Sequence, residues 1–159
     1  MIRLATQEDI LNILAVYKTA RAFMKITGNP TQWGNNYPNK EILEEDIFLK
    51  RLYVFEEENE IVGAFVYFVG DEPTYEIIDG AWRDNSSYGV IHRVANSGKI
   101  KGLVKKIVDF TNNEHLRIDT HEDNKVMQHV LQKIGFYRCG IIKLEDGQDR
   151  IAYEKSSLI

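Results

Sequence analysis

Two consecutive strand–helix units, residues 88–136, constrain the fold of this chain more than any other feature. In each unit, a run of β-branched and apolar residues is followed by an amphipathic helical pattern. The first strand reaches its helix through a turn that contains Gly98 and Gly102. Parallel strands need a crossover such as a helix, whereas antiparallel strands need only a short turn. The sequence therefore predicts a parallel pair of strands with a ligand where the strands end.

The turn between the first strand and its helix has the features of a phosphate-binding loop. A helix N-terminus offers free N–H groups and the positive end of the helix dipole, and glycine lets a phosphate approach the backbone. Lys99 and Lys101 lie at this helix start, where the dipole disfavours cations unless a bound anion is present. The plain alternative is that Gly98 and Gly102 only shape the turn.

The rest of the chain supplies helices and antiparallel strands. Thr6 and Asp9 indicate the start of a helix that runs to about residue 23 or 24, and Asn39 indicates a cap for a second helix. We expect one α/β domain over residues 1–159, with a mixed, mostly antiparallel central sheet and helices on both faces. The predicted strands cover residues 52–56, 61–69, 75–82, 88–96, 116–120, 136–144 and 150–154, and the remaining predicted helices cover residues 40–50, 101–112 and 124–134.

Composition excludes several classes of protein. The chain is 43% hydrophobic and 28% charged, as a folded globular protein is, and its net charge of −4 argues against nucleic acid as a partner. No apolar run is long enough to cross a membrane, so we expect no membrane partner. The single cysteine, Cys139, excludes an internal disulfide and fits a reducing, cytoplasmic location. Its strand-like surroundings favour a buried packing role over a nucleophilic one.

Four phrases of the sequence together resemble the GCN5-related N-acetyltransferase (GNAT) family over essentially the whole chain. They are the strand segment His92-Arg93-Val94-Ala95, the turn through Gly102, Arg117-Ile118-Asp119-Thr120 followed by Asn124, and Gln132-Lys133-Ile134-Gly135-Phe136. The resemblance implies the acyl-CoA N-acyltransferase fold, in which the fourth and fifth strands are parallel and splay apart. It also implies acetyl-CoA as cosubstrate, no metal, and transfer of acetyl to a small-molecule or peptide amine. Members of the family often form homodimers, so a homodimer is an expected state.

The resemblance also places the cofactor on particular residues. The turn would hold the pyrophosphate, with Lys99 in the place of the family's arginine and Gly102 in that of its first glycine. The turn is about two residues shorter than the usual form, and Ile100 and Val104 stand where small residues are common. The implied cofactor-binding residues are Val94, Asn96, Ser97, Gly98, Lys99, Ile100, Lys101, Gly102, Leu103 and Asn124.

The acceptor side of the reaction is less defined by the sequence. His92, near the middle of its strand, is a candidate proton acceptor or a hydrogen-bonded sheet histidine. Asp119 is a second catalytic candidate, or a structural partner of Arg93. Trp33 and Tyr37 would either line an acceptor pocket, contacting a cationic amine, or form the packed centre of a surface loop.

One family feature is absent from the sequence. Leu131 stands where many relatives carry a tyrosine that protonates the leaving thiolate. This substitution keeps a second hypothesis open, a CoA-binding sensor or regulatory module with weak or no catalysis. A flavodoxin-like nucleotide binder is a third hypothesis, but the antiparallel block of residues 52–82 argues against it.

Overall fold

An eight-stranded sheet lies at the centre of the computed structural model, which describes residues 1–159. The strands are β1 (Ile2–Leu4), β2 (Leu52–Glu57), β3 (Glu60–Val69), β4 (Asp79–Gly80), β5 (Gly89–Asn96), β6 (His115–Thr120), β7 (Tyr137–Lys143) and β8 (Asp149–Ser156). Their spatial order is β1-β2-β3-β5-β6-β8-β7-β4. Every neighbouring pair is antiparallel except β5 and β6, which are parallel. The predicted fold class, with its one parallel pair, is confirmed.

The four helices cover both faces of the sheet. They are α1 (Ile10–Ile26), α2 (Lys40–Phe48), α3 (Leu103–Thr111) and α4 (Lys125–Lys133). Apolar residues of α1 and α2 pack with β2 and β3 in one core cluster. Those of α3 and α4 pack with β6 and β8 in another, on the opposite face. The turn between β5 and α3 therefore approaches the sheet from one side, and the loop between α1 and α2, which contains Trp33 and Tyr37, approaches it from the other.

Local signals in the sequence set most helix ends. The side chain of Asn39 accepts a hydrogen bond from the Ile42 N–H, and that of Asn124 accepts one from the Met127 N–H, as N-caps do. Gly135 follows α4 with φ +103, the left-handed conformation that a terminating glycine adopts most readily. The predicted cap Asn39 is thus present, whereas the predicted start at Thr6 precedes the 3-10 turn Gln7–Asp9 and α1 begins only at Ile10. The other predicted helices are only slightly longer than the observed ones.

Two predicted features of the sheet are wrong. Residues 75–82 do not form a central strand: Pro73–Tyr75 is a 3-10 turn, and only Asp79–Gly80 pairs, at the far edge against β7. The prediction also omitted β1, which pairs antiparallel with β2 at the opposite edge. In both cases the element is short and its pairing partner lies far along the chain, where sequence periodicity carries no information.

Candidate active site

A cleft opens where the parallel strands β5 and β6 separate. Their pairing covers only Gly89 with Leu116 and Val90 with Arg117, although both strands continue beyond these residues. A cavity of about 790 Å³ lies at the opening and reaches the loop between α1 and α2. The splay expected of this strand pair is therefore present, and backbone groups of residues 91–96 face the gap instead of β6.

A β-bulge in β5 shapes the wall of this cleft. The pairing with β3 shifts between Ala64, which opposes Ala95, and Val66, which opposes His92, so β5 has one extra residue there. Arg93 adopts φ +51 at the bulge, and its carbonyl accepts a hydrogen bond of 2.6 Å from the buried Tyr17 hydroxyl. As a result, residues 91–94 all line the cleft.

His92 lies between two carboxylates in this cleft. Its Nε2 atom is 3.5 Å from Glu72 Oε2, and its Nδ1 atom is 3.8 Å from Asp119 Oδ2. The imidazole is 19% exposed and all three side chains line the cavity. The structure therefore brings together His92 and Asp119, the two residues that the sequence nominated for catalysis.

Both carboxylates are held by further hydrogen bonds. The Thr74 hydroxyl donates to Glu72 Oε1 at 2.9 Å, and the buried Tyr75 hydroxyl donates to Asp119 Oδ2 at 2.7 Å. Burial alone would raise the pKa of Glu72, but the nearby His92 and the bonds from Thr74 outweigh it and lower the pKa. Glu72 thus remains anionic beside the imidazole.

Sequence reasoning missed Glu72. It precedes Pro73 at the point where the chain leaves β3. A carboxylate next to a proline after a buried strand is too common a pattern to identify a functional residue. Only the fold places Glu72 near His92.

The aromatic residues of the early loop lie at the other end of the cleft. Trp33 and Tyr37 both line it, with ring centroids 6.4 Å apart, and Trp33 also contacts Tyr17 at 5.5 Å. The Tyr37 hydroxyl accepts a hydrogen bond of 2.8 Å from Arg93 Nη1. The loop is therefore both packed on the α1 core and exposed to the cavity. Lining a pocket and forming the packed centre of a loop, the two roles expected of these aromatics, are compatible.

The suggested pair between Arg93 and Asp119 is not present. Arg93 instead forms two hydrogen bonds with Asp46 of α2, at 2.9 and 2.8 Å. Burial raises the pKa of Asp46, although its arginine partner acts in the opposite direction. The bulge turns Arg93 toward α2, which leaves Asp119 free to face His92.

The turn between β5 and α3 is folded around the Asn96 side chain. Its carbonyl oxygen accepts from the Gly98 N–H at 2.8 Å, and its amide donates to the Ile100 carbonyl at 2.7 Å. Ile100 is buried in the core beside Gly63, and Val104 is buried on α3. Large apolar residues occupy these positions because their side chains point into the core, away from the turn's outer face.

The start of α3 has room and free donors for an anion. Gly102 precedes the helix with φ +65, no side chain caps the helix, and an added Cβ at Gly98 or Gly102 would meet no atom within 4 Å. Ser97 carries a buried hydroxyl with no hydrogen-bond partner. Lys99 pairs with Glu60, and Lys101 is exposed. These features fit a pyrophosphate held by the backbone. Residues 96–103 themselves do not line the main cavity.

Asn124 lies on the opposite wall of the cleft with its side chain already in use. The amide donates to Gln32 Oε1 at 3.0 Å and its oxygen caps α4. Of the expected cofactor-binding residues, Val94 and Asn124 line the cavity. Leu131, which stands where many relatives carry a tyrosine, is fully buried in the core on the α3–α4 side. This position therefore supplies no phenol to the cleft.

Cys139 lies on β7 and does not line the cleft. Its thiol is 3.8 Å from Glu154, and burial together with this carboxylate raises its pKa to about 11. No three His, Cys, Asp or Glu side chains are grouped as metal ligands would be. No helix is long and apolar enough to cross a membrane.

Comparison with known proteins agrees with this architecture. The family model described as acetyltransferase (GNAT) family matches residues 15–136. The chain is similar to the solved GNAT-family acetyltransferase of Streptococcus agalactiae 2603, with 32% identity, a TM-score of 0.86, and coverage of 99% of this chain and 95% of that chain. A structure classed as an acetyltransferase from Staphylococcus aureus Mu50 is 30% identical, with a TM-score of 0.69 and coverage of 98% of both chains.

A more distant structure, the NatC complex bound to Gag peptide and CoA, shares the fold at 11% identity and a TM-score of 0.62, covering 98% of this chain and 97% of that chain. No match was found among curated proteins. The family model covers most of the chain, and the streptococcal enzyme aligns with nearly all of it. The chain therefore belongs to the GNAT family of acetyltransferases.

Proposed function

We propose that this protein transfers an acetyl group from acetyl-CoA to the primary amine of a small molecule or peptide by direct attack. The observation that carries the proposal is the placement of His92 between Glu72 and Asp119, at the point where β5 and β6 separate. The imidazole of His92 and the gap between β5 and β6 share one cavity, which supports the proposal.

The cofactor half of the site would use backbone groups. The N–H groups at the start of α3 and of the Gly98–Gly102 turn would hold the pyrophosphate. The unpaired edge of β5 near Val94 and Asn96, with Asn124 opposite, would hold the pantetheine arm. Acetyl-CoA supplies an acetyl group activated as a thioester. The Val94 N–H, beside the bulge, would polarise the acetyl carbonyl.

His92 would take the proton that the ammonium group loses to become the attacking neutral amine. The second proton, lost from the nitrogen after attack, would pass through water to the thiolate. An imidazole is suited to this step because its ordinary pKa, roughly 6.5, lies near neutrality. The carboxylates of Glu72 and Asp119 flank the ring, so they would orient it and stabilise the imidazolium that forms. Each of the three side chains thus has a defined part in one proton transfer.

The leaving thiolate needs little assistance from the protein. A thiol has an ordinary pKa of roughly 8.5, so CoA can depart as a thiolate that water later protonates. This accounts for a functional site in which Leu131 replaces the usual phenol. Cys139, outside the cleft and with a raised pKa, offers no route through an acyl-enzyme, and this supports direct attack.

The test is release of free thiol from acetyl-CoA in the presence of a panel of primary amines, with identification of the acetylated product. Amine-dependent release that falls strongly in His92→Gln, with CoA affinity unchanged, is the expected result. Absence of turnover for the whole panel, while CoA still binds, would refute the catalytic proposal.

The position of Leu131 favours one alternative, a CoA-binding regulatory module on the same fold. Such a module would show a CoA-dependent rise in melting temperature and no amine-dependent thiol release. A melting temperature that does not respond to CoA would exclude both functions.

A further inference from the structure

Arg150, the second residue of β8, is buried beside the cleft without a carboxylate partner. It is 5% exposed, yet it lines both the main cavity and a smaller neighbouring one. None of the chain's salt bridges, counted to 4.0 Å, includes it. Charged groups are rarely buried unless they are paired, because desolvation is costly. A buried, unpaired guanidinium at a substrate cavity therefore indicates an anionic ligand group.

The groups around Arg150 orient it and do not neutralise it. Its Nη1 atom donates to the Asp149 carbonyl at 2.9 Å and to Gln148 Oε1 at 3.4 Å, and its Nη2 atom donates to the Gln32 carbonyl at 3.2 Å. All three acceptors are neutral. Glu145 and Asp146 share the cavity but lie beyond salt-bridge distance.

Gln32, whose backbone carbonyl accepts from Arg150, offers a second donor in the cavity. Its Oε1 atom accepts hydrogen bonds from the side-chain amides of Asn29, at 2.7 Å, and Asn124, at 3.0 Å. These two donors fix the orientation of the Gln32 amide, and its nitrogen makes no hydrogen bond within the protein. Arg150 and Gln32 together present N–H groups suited to a carboxylate.

Arg150 lies on the same face of the sheet as the proposed proton acceptor. On β8, Ile151 and Tyr153 pack toward α3 and α4, so Arg150 and Ala152 face the other side. Ala152 is the register partner of Asp119. Arg150 is therefore a diagonal neighbour of Asp119, roughly 7–8 Å away in the backbone, on the side where the amine would approach.

We propose that the acceptor is an amine that also carries a carboxylate, a free amino acid or a similarly small amino carboxylate, and that Arg150 with Gln32 binds this carboxylate. The inference rests on the proposed function, since it assigns the amine to His92. It makes Arg150 a specificity-determining residue. It also gives the cavity two recognition sites for one acceptor, one for the ammonium group and one for the carboxylate.

The experiment compares matched pairs of amines in the thiol-release assay. The acids are the common amino acids and a series of ω-amino acids of increasing length; their partners are the corresponding amides and the n-alkylamines of equal length. We expect at least one acid to exceed its uncharged partner in kcat/KM by about 10- to 100-fold, the effect of a charge-assisted hydrogen-bonded pair. Equal kcat/KM for both members of every pair would overturn the proposal.

Arg150→Gln should remove this preference by lowering kcat/KM for the acid and leaving its partner unchanged. Arg150→Lys should restore part of it. Arg138→Gln is the matched control, because Arg138 is an exposed arginine on the adjacent strand β7 that lines only the smaller cavity. If Arg150 serves only to brace the Gln32 loop, Arg150→Gln will weaken both members of a pair equally, and that result would also overturn the proposal.

A binding measurement separates this inference from the catalytic proposal. N-acetylated amino acids and their amides are titrated by calorimetry into the wild-type protein saturated with CoA. Selective binding of the acids without turnover would refute catalysis and support the carboxylate site. Turnover of amines with no preference for acids in either measurement would support catalysis and refute the carboxylate site.

Discussion

Replacing Gly102 with glutamate introduces a negative charge where we propose that α3 holds the CoA pyrophosphate. Gly102 is exposed, and a Cβ at this position would meet no atom within 4 Å, so the substitution causes no steric clash. The cost to the fold comes from φ +65, which any residue with a Cβ adopts unfavourably. That cost is about 1–2 kcal/mol, equivalent to a fall in melting temperature of roughly 2–8 °C for a chain of this size.

The loss of CoA affinity has an electrostatic origin. A carboxylate about 5 Å from one phosphate charge is repelled by ~3 kcal/mol at an effective dielectric constant of ~20, and by less than ~1 kcal/mol in bulk water. The exposed position of Gly102 places the repulsion between these limits. At about 1.4 kcal/mol per tenfold, CoA should bind roughly 5- to 150-fold more weakly.

Gly102→Gln is the matched control, because glutamine has nearly the same shape and the same backbone cost without the charge. Both variants should show a similar fall in melting temperature without ligand. Calorimetric titration with CoA should then distinguish them, with the glutamate variant binding more weakly and the difference shrinking as salt increases. Equal CoA dissociation constants for the two variants would refute the placement of the pyrophosphate at this turn.

Other substitutions test the remaining parts of the site. His92→Gln should lower kcat by about 10²- to 10⁴-fold in steady-state assays; a change below about threefold would exclude His92 as the proton acceptor. Asp46→Asn leaves Arg93 as a largely buried, unpaired charge and should reduce the free energy of unfolding by about 3–5 kcal/mol in urea titrations. An unchanged free energy of unfolding would show that this ion pair does not stabilise the fold. Cys139→Ser should retain kcat, and loss of activity would contradict direct attack. The pKa of Glu72 in the folded protein lies below its reference value of 4.5, so its contribution to stability is present above that pH and is lost as the pH falls through the folded value. Glu72→Gln should therefore make the free energy of unfolding less sensitive to pH below pH 4.5, and an unchanged pH dependence would contradict this.

The strands and helices of residues 88–136 could be predicted from the sequence because their signals are local. The turn glycines and the Asn124 cap lie within a few residues of the helices that they start. Hydrophobic periodicity then identifies the buried face of each helix. Such signals fix β5, α3, β6 and α4 in order, and the parallel pairing follows from the helical crossover.

The error over residues 75–82 has a physical cause. Tyr75 and Trp82 give this segment the composition of a strand, but their side chains serve tertiary contacts instead. The Tyr75 hydroxyl bonds to Asp119, and the Trp82 indole N–H donates to the Tyr75 carbonyl at 2.8 Å. β-propensity measures how well a residue fits a half-buried surface, and such a surface need not belong to a sheet.

The pairs of Glu72 with His92 and of Asp46 with Arg93 could not be predicted, because these residues meet only through the fold. Glu72 lies in the long connection between β3 and β5, whereas His92 lies within β5. Asp46 contacts Arg93 of β5 from helix α2. The bulge that turns Arg93 toward α2 leaves no trace in the sequence, since arginine rarely adopts a positive φ. Long-range pairs of this kind require the sheet register before they can be recognised.

The separation of β5 from β6 also divides the hydrogen-bonded ladder of the sheet into two halves. One half contains β1, β2, β3 and β5, the other contains β6, β8, β7 and β4, and only two residue pairs join them along the seam. A pantetheine arm lying in the gap would connect β5 to β6 and so join the two halves. In the free protein, amide hydrogens of β6 and β8 should then exchange with solvent through a local opening whose free energy is lower than that of global unfolding. With CoA bound, the same amides should exchange only through global unfolding.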